Sequence, residues 1–93
     1  MTLKQIADII ANEQLDWRRM NSQPCVHTFY KEFYINLCLW HPKGVETISI
    51  DIDDINNHVN DIVSENLGKE DEYFSLFLKT YQQAIKVANN IAA

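Results

Sequence analysis

An α+β fold is predicted for this chain: an N-terminal helix, an antiparallel two- or three-stranded sheet, then two C-terminal helices packed on one face. Three observations predict it. Ile48, Ile50 and Ile52 alternate with Thr47, Ser49 and Asp51, and period two with β-branching marks a half-buried strand. Phe33, Ile35, Leu37 and Leu39 alternate just upstream, across the short connection His41-Pro42-Lys43-Gly44, which signals a hairpin. Apolar residues at helical spacing occupy both ends of the chain.

The first helix is expected over residues 2–20. Thr2 and Gln5 fit a capping box, in which hydroxyl and amide satisfy otherwise orphaned backbone N–H groups. Leu3, Ile6, Ile9, Ile10, Trp17 and Met20 form its stripe. Arg18 and Arg19 would then oppose the negative end of the helix dipole, and Pro24 would end the element.

Residues 25–31 read as a third, edge strand from their β-branched and aromatic content, although Val26, Phe29, Tyr30, Phe33 and Tyr34 also match helical spacing. After the hairpin, Asp53 or Asp54 would cap a helix running to about Asn66, burying Ile55, Val59, Ile62 and Val63 and stopping at Gly68. A last helix is expected from about Lys69 to Ile91. Glu70, Asp71 and Glu72 would occupy its first turn, and Phe74, Phe77, Tyr81, Ala84, Ala88 and Ile91 its stripe. Ala84 and Ala88 would allow close approach of a second backbone, so a homodimer through this helix is considered beside packing on the sheet.

Residues 1–93 are expected to make a single domain, since a division would leave neither part an adequate core. Hydrophobic residues are 46% of the chain and Gly and Pro number two each, a composition that excludes a disordered or collagen-like chain. The longest purely apolar run is Leu37-Cys38-Leu39-Trp40, far short of the roughly 20 residues of a membrane span. With no signal-like N-terminus, a cytoplasmic protein is expected, with no membrane partner. In that reducing compartment Cys25 and Cys38 read as buried thiols. A bridge between them is the alternative, and would add about 3 kcal/mol by chain entropy.

The net charge of −5 is unevenly placed. Up to Ile50 acids and bases balance. From Asp51 to Glu72 eight acids (Asp51, Asp53, Asp54, Asp61, Glu65, Glu70, Asp71 and Glu72) face Lys69 alone, and Lys79 and Lys86 follow with no acid. Such a concentration steers cationic surfaces and repels phosphate backbones. These eight residues are therefore the expected partner-binding set, with no direct nucleic-acid contact. The partner would be a basic, nucleic-acid-handling protein, such as a nuclease. The functional class is that of immunity proteins and DNA-mimic inhibitors. Helix-dipole complement and solubility are the competing account of the same run.

Other chemistry has weaker support. Cys25, His27, Cys38 and His41 offer four potential zinc ligands, two Cys and two His, but at spacings unlike the usual pairs. Asp51, Asp53, Asp54 and His58 offer oxygen and nitrogen ligands without a calcium loop. With only Gly44 and Gly68 no phosphate-binding loop forms, and no nucleophile elbow is present. No catalytic residue, metal or cofactor is expected. The alternatives are a helix-turn-helix-like regulator, using the first helix with Arg18 and Arg19, and a small oligomeric accessory protein.

Overall fold

The computed structural model describes the backbone of residues 1–92 and the side chains of residues 1–87. Helix α1 (Leu3–Asn12) leads through an extended stretch into β1 (Arg18–Arg19). Strands β2 (Cys25–Tyr30), β3 (Phe33–Trp40), β4 (Thr47–Asp54) and β5 (Val59–Leu67) follow, and then α2 (Phe74–Ala92). The five strands form one antiparallel sheet in sequence order. The α+β class holds, with more strands and one helix fewer than expected.

The capping box is formed. Gln5 N–H donates to Thr2 Oγ1 at 3.2 Å, and Thr2 N–H to Gln5 Oε1 at 2.7 Å. The helix nevertheless stops eight residues earlier than residues 2–20 implied. A continuing stripe needs an apolar side chain near position 13 or 14, where Glu13 and Gln14 are exposed. Leu15 and Trp17, two apart, are instead half-buried, and Thr28 Oγ1 donates to Asp16 O at 3.0 Å, fastening this extended stretch to β2. Arg18 and Arg19 pair with His27 and Val26 as a two-residue edge strand, so they do not complement a helix dipole. Residues 25–30 are a strand as favoured, but an interior one.

The largest correction falls on residues 53–66, expected as a helix and found as the end of β4, a turn and β5. Val59, Val63 and Leu67 stand four apart, a spacing that fits period two as well as period 3.6, so the apolar pattern alone cannot decide. The turn decides. Asp54 accepts from the Asn57 backbone N–H (3.2 Å) and from Asn57 Nδ2 (2.8 Å), and His58 takes the left-handed conformation at φ 53. Asp54 thus caps a chain reversal, as Asp and Asn side chains often do. Of the expected buried face only Val63 is buried, while Ile55 and Val59 are exposed.

Gly68 does not end a helix either. Its N–H donates to Asp71 Oδ2 at 2.7 Å, and its carbonyl accepts from Asp71 N–H. That turn delays α2 to Phe74, leaving Glu70, Asp71 and Glu72 ahead of it.

One face of the sheet carries Val26, Ile35, Leu37, Ile48, Ile50 and Ile52. These pack with Ile6 and Ala7 of α1 and with Phe74, Phe77, Tyr81 and Ala84 of α2 in a single core cluster. The stripe of α2 is therefore core through Ala84, which is 5% exposed and so not a free contact for a second chain. Ala88 and Ile91 lie outside the described side chains. No helix among the described residues is long and apolar enough to cross a membrane.

Candidate functional site: the open sheet face and the acidic hairpin

Because side chains alternate across a strand, the same registers that bury the isoleucines place a second set on the opposite face. Both helices cover the first face, so this second face is open. Its rows follow from the pairing: Phe29, Tyr34 and Asp53; His27, Asn36, Asp51 and Ser64; Cys25, Cys38, Ser49 and Asn66; Trp40 and Thr47. Phe29 is 61% exposed and Trp40 41%, values that single them out against a core whose largest side chains are fully covered.

The face is internally tied. Tyr34 Oη lies 2.8 Å from His27 Nδ1, and the Phe29 and Tyr34 rings sit 5.2 Å apart, centroid to centroid. Trp40 Nε1 donates to Ser49 Oγ at 3.0 Å, and Ser64 Oγ to Asp51 Oδ1 at 2.8 Å. Asn36 Oδ1, shielded from solvent in the middle row, meets no hydrogen-bond partner among the described residues. An acceptor left in that state costs about 1–3 kcal/mol.

Cys25 and Cys38 are directly opposed, with Cα atoms 4.0 Å apart, and are joined by a disulfide. The expectation of two buried thiols is corrected. Two thiols on facing positions of neighbouring strands are close enough to bridge, a fact invisible until the register is known. The bridge also removes both sulfurs as zinc ligands. Among the described residues no group of three or more His, Cys, Asp or Glu is placed to hold a metal, which covers Asp51, Asp53, Asp54 and His58 as well.

The eight expected partner-binding acids are divided. Asp51, Asp53, Asp54, Asp61 and Glu65 belong to the β4–β5 hairpin, and Glu70, Asp71 and Glu72 follow β5 at its far end. Asp53 and Asp54 at the turn stand a strand length, roughly 25–30 Å, from that far end, whereas Glu65 lies two residues before the end of β5. At the turn end, Asp61 N–H donates to Asp53 Oδ1 at 2.8 Å where the ladder between β4 and β5 shifts register. Asp61 itself is left-handed at φ 54. Asp53, Asp54 and Asp71 therefore have structural hydrogen bonds as well as charge. The ion pairs Arg18–Asp16 and His41–Glu46 involve none of the eight. A shallow cleft of about 470 Å³ opens beside the turn, lined by Tyr34, Asp53, Asp54, Ile55, His58 and Asn60.

Burial, and secondly the Asp53 carboxylate across the strand pair, push the Tyr34 phenol above its ordinary value of 10.0. The neutral phenol is thus favoured in the folded state, so this group's contribution to stability is present below pH 10 and is lost as pH rises past it. Asp53→Asn is expected to lower the Tyr34 midpoint in an ultraviolet phenolate titration. An unchanged midpoint would show that the carboxylate does not act on the ring.

The aromatic half of this site was missed in the sequence. The signal was there. Tyr34, Asn36, Cys38 and Trp40 are the alternate positions of the run whose apolar members defined the strand. The helix-turn-helix reading loses its basis, since α1 is followed by strands and its two arginines form β1. Protein-family models, curated proteins and solved structures were compared with the chain, and none matches it.

Proposed function

We propose that this chain is a non-catalytic binding domain for a basic protein partner, held by the carboxylates of the β4–β5 hairpin with the open sheet face beside them. One observation carries the reading. Residues 47–67 contain five acids and no Lys or Arg, and they belong to the two strands, and the turn between them, at one edge of the sheet. A cationic partner gains from that field, which steers encounter and disfavours acidic competitors. Exposed Phe29 and Trp40 add apolar and cation–π contact of the kind that anchors Lys and Arg stems.

The finer form of the proposal is a stoichiometric inhibitor, of immunity or anti-defence type, acting as a DNA mimic. The acidic surface occupies the basic groove of a nucleic-acid-handling enzyme in place of its substrate, with no direct nucleic-acid contact of its own. The test is capture of the partner from the native cell at low salt, followed by an activity assay of the captured protein. The double variant Asp61→Asn with Glu65→Lys, which spares the turn-forming Asp53 and Asp54, is expected to weaken the complex about tenfold or more. Salt at several hundred millimolar should do the same, since exposed charges are screened beyond the Debye length. A complex indifferent to both treatments would refute the charge-based reading, and an uninhibited partner enzyme would refute the inhibitor.

Cytoplasmic residence is a proposal that the Cys25–Cys38 bridge opposes, because thiols there are held reduced. Alkylation trapping in the native cell reads the compartment directly. Two free thiols would place the domain in the cytoplasm, and none in an oxidising compartment.

A further inference from the structure

We infer that the partner is engaged by strand addition: an extended, Lys- or Arg-rich segment pairs with the free edge of β5 and becomes a sixth strand of the sheet. The inference rests on the basic-partner reading and adds the mode of contact to it.

The phase of the ladder is fixed by one bond. Leu39 N–H donates to Pro24 O, so the odd-numbered residues of β3 direct their backbone groups toward β2 and the even-numbered ones toward β4. Their partners Thr47, Ser49, Asp51 and Asp53 accordingly point to β3. Ile48, Ile50 and Ile52 then point to β5, where they meet Leu67, Glu65 and Val63. The intervening residues Ser64 and Asn66 must direct their N–H and C=O groups away from the sheet. Both are exposed, and β5 ends the strand order.

Natural edges of this kind are usually blunted by short length, a bulge or a proline. Here the opposite edge is blunted: β1 is two residues long. On β5 the irregularity lies toward the turn, between the Ile52 and Asp54 pairings, and from Val63 to Leu67 the register is unbroken. The edge is therefore a regular template about five residues long.

Charge selects the occupant. Glu65 is exposed on this strand, on the Ile50 side of the sheet, and Asp61 stands near its start, while the neighbouring strand brings Asp51 and Asp53 to the opposite, open face. Lys or Arg placed opposite Glu65 makes a favourable cross-strand pair. A second copy of this chain would bring the same carboxylates and its own net charge of −5.

The test uses a dye-labelled peptide of alternating Lys and Thr, followed by fluorescence anisotropy at low salt. Wild-type protein is expected to bind it, with slower amide exchange at Ser64 and Asn66. Asn66→Pro removes one outward donor while leaving the bonds to β4 in place, and prolines are accepted at such edge positions. Affinity for the peptide should fall about tenfold in that variant. A peptide N-methylated at alternate nitrogens, tried in both registers, should lose affinity in one of them, and this arm decides the matter if Asn66→Pro fails to fold.

Binding that depends on Asp61 and Glu65 but survives both the proline and N-methylation would overturn strand addition and leave the basic-partner reading standing. Binding indifferent to the acids as well would overturn both. No binding of the peptide at low salt overturns strand addition, and partner capture then judges the broader reading by itself. A dimer in sedimentation that Asn66→Pro dissociates would show the edge to be taken by a second copy instead.

Discussion

Phe77→Ala is expected to destabilise the domain by about 3–5 kcal/mol, the usual range for deleting a buried ring. Phe77 is fully covered, at the centre of the α2 face that packs on Ile35, Leu37, Ile48 and Ile50. A chain this short has a total stability of roughly 5–14 kcal/mol at typical values per residue. The variant should therefore be marginal at room temperature. Denaturant unfolding with an unchanged slope measures it. Phe29→Ala supplies the contrast. Phe29 is exposed on the open face, and its removal should change stability by about 0.5 kcal/mol or less. A large loss from Phe29→Ala would mean that the open face contributes to the fold's own stability.

Removing the Cys25–Cys38 bridge ranks second. The two cysteines are 13 residues apart in sequence, and closing a loop of that size restricts the unfolded chain by about 3 kcal/mol in the entropy treatment. For a domain of 93 residues this corresponds to a fall in Tm of about 12–24 °C. Cys25→Ala with Cys38→Ala should show it in a thermal melt, and reductant should lower the wild-type Tm but leave the double variant unmoved. Equal melting of wild type with and without reductant would show that the bridge does not stabilise the domain. Because both sulfurs lie on the open face yet are almost fully covered, slow reduction is expected unless the protein unfolds.

Much of the candidate site was present as composition before it was present as geometry. The concentration of acids from Asp51 onward is a property of the sequence, and five of the eight do share one hairpin. Their division into two groups is not. It follows from reading Val59, Val63 and Leu67 as strand, and their spacing serves either period until Asp54 and Asn57 close the turn before them. The aromatic members were hidden for a different reason. Tyr34 and Trp40 alternate with core residues, so they look like more of the same apolar run unless the covered face is known.

Local patterning determined that α1 begins at Thr2, that Phe33 to Ile52 makes a hairpin around Pro42 and Gly44, and that Phe74 to Ala84 lines the inner side of a helix. Each depends on neighbours a few residues away, through capping, alternation or three-four spacing. Tertiary structure decided that Cys25 faces Cys38, that β5 ends the sheet as its edge, and that the second sheet face stays open. Those outcomes depend on pairing between residues distant in sequence, where register, rather than propensity, sets what meets what.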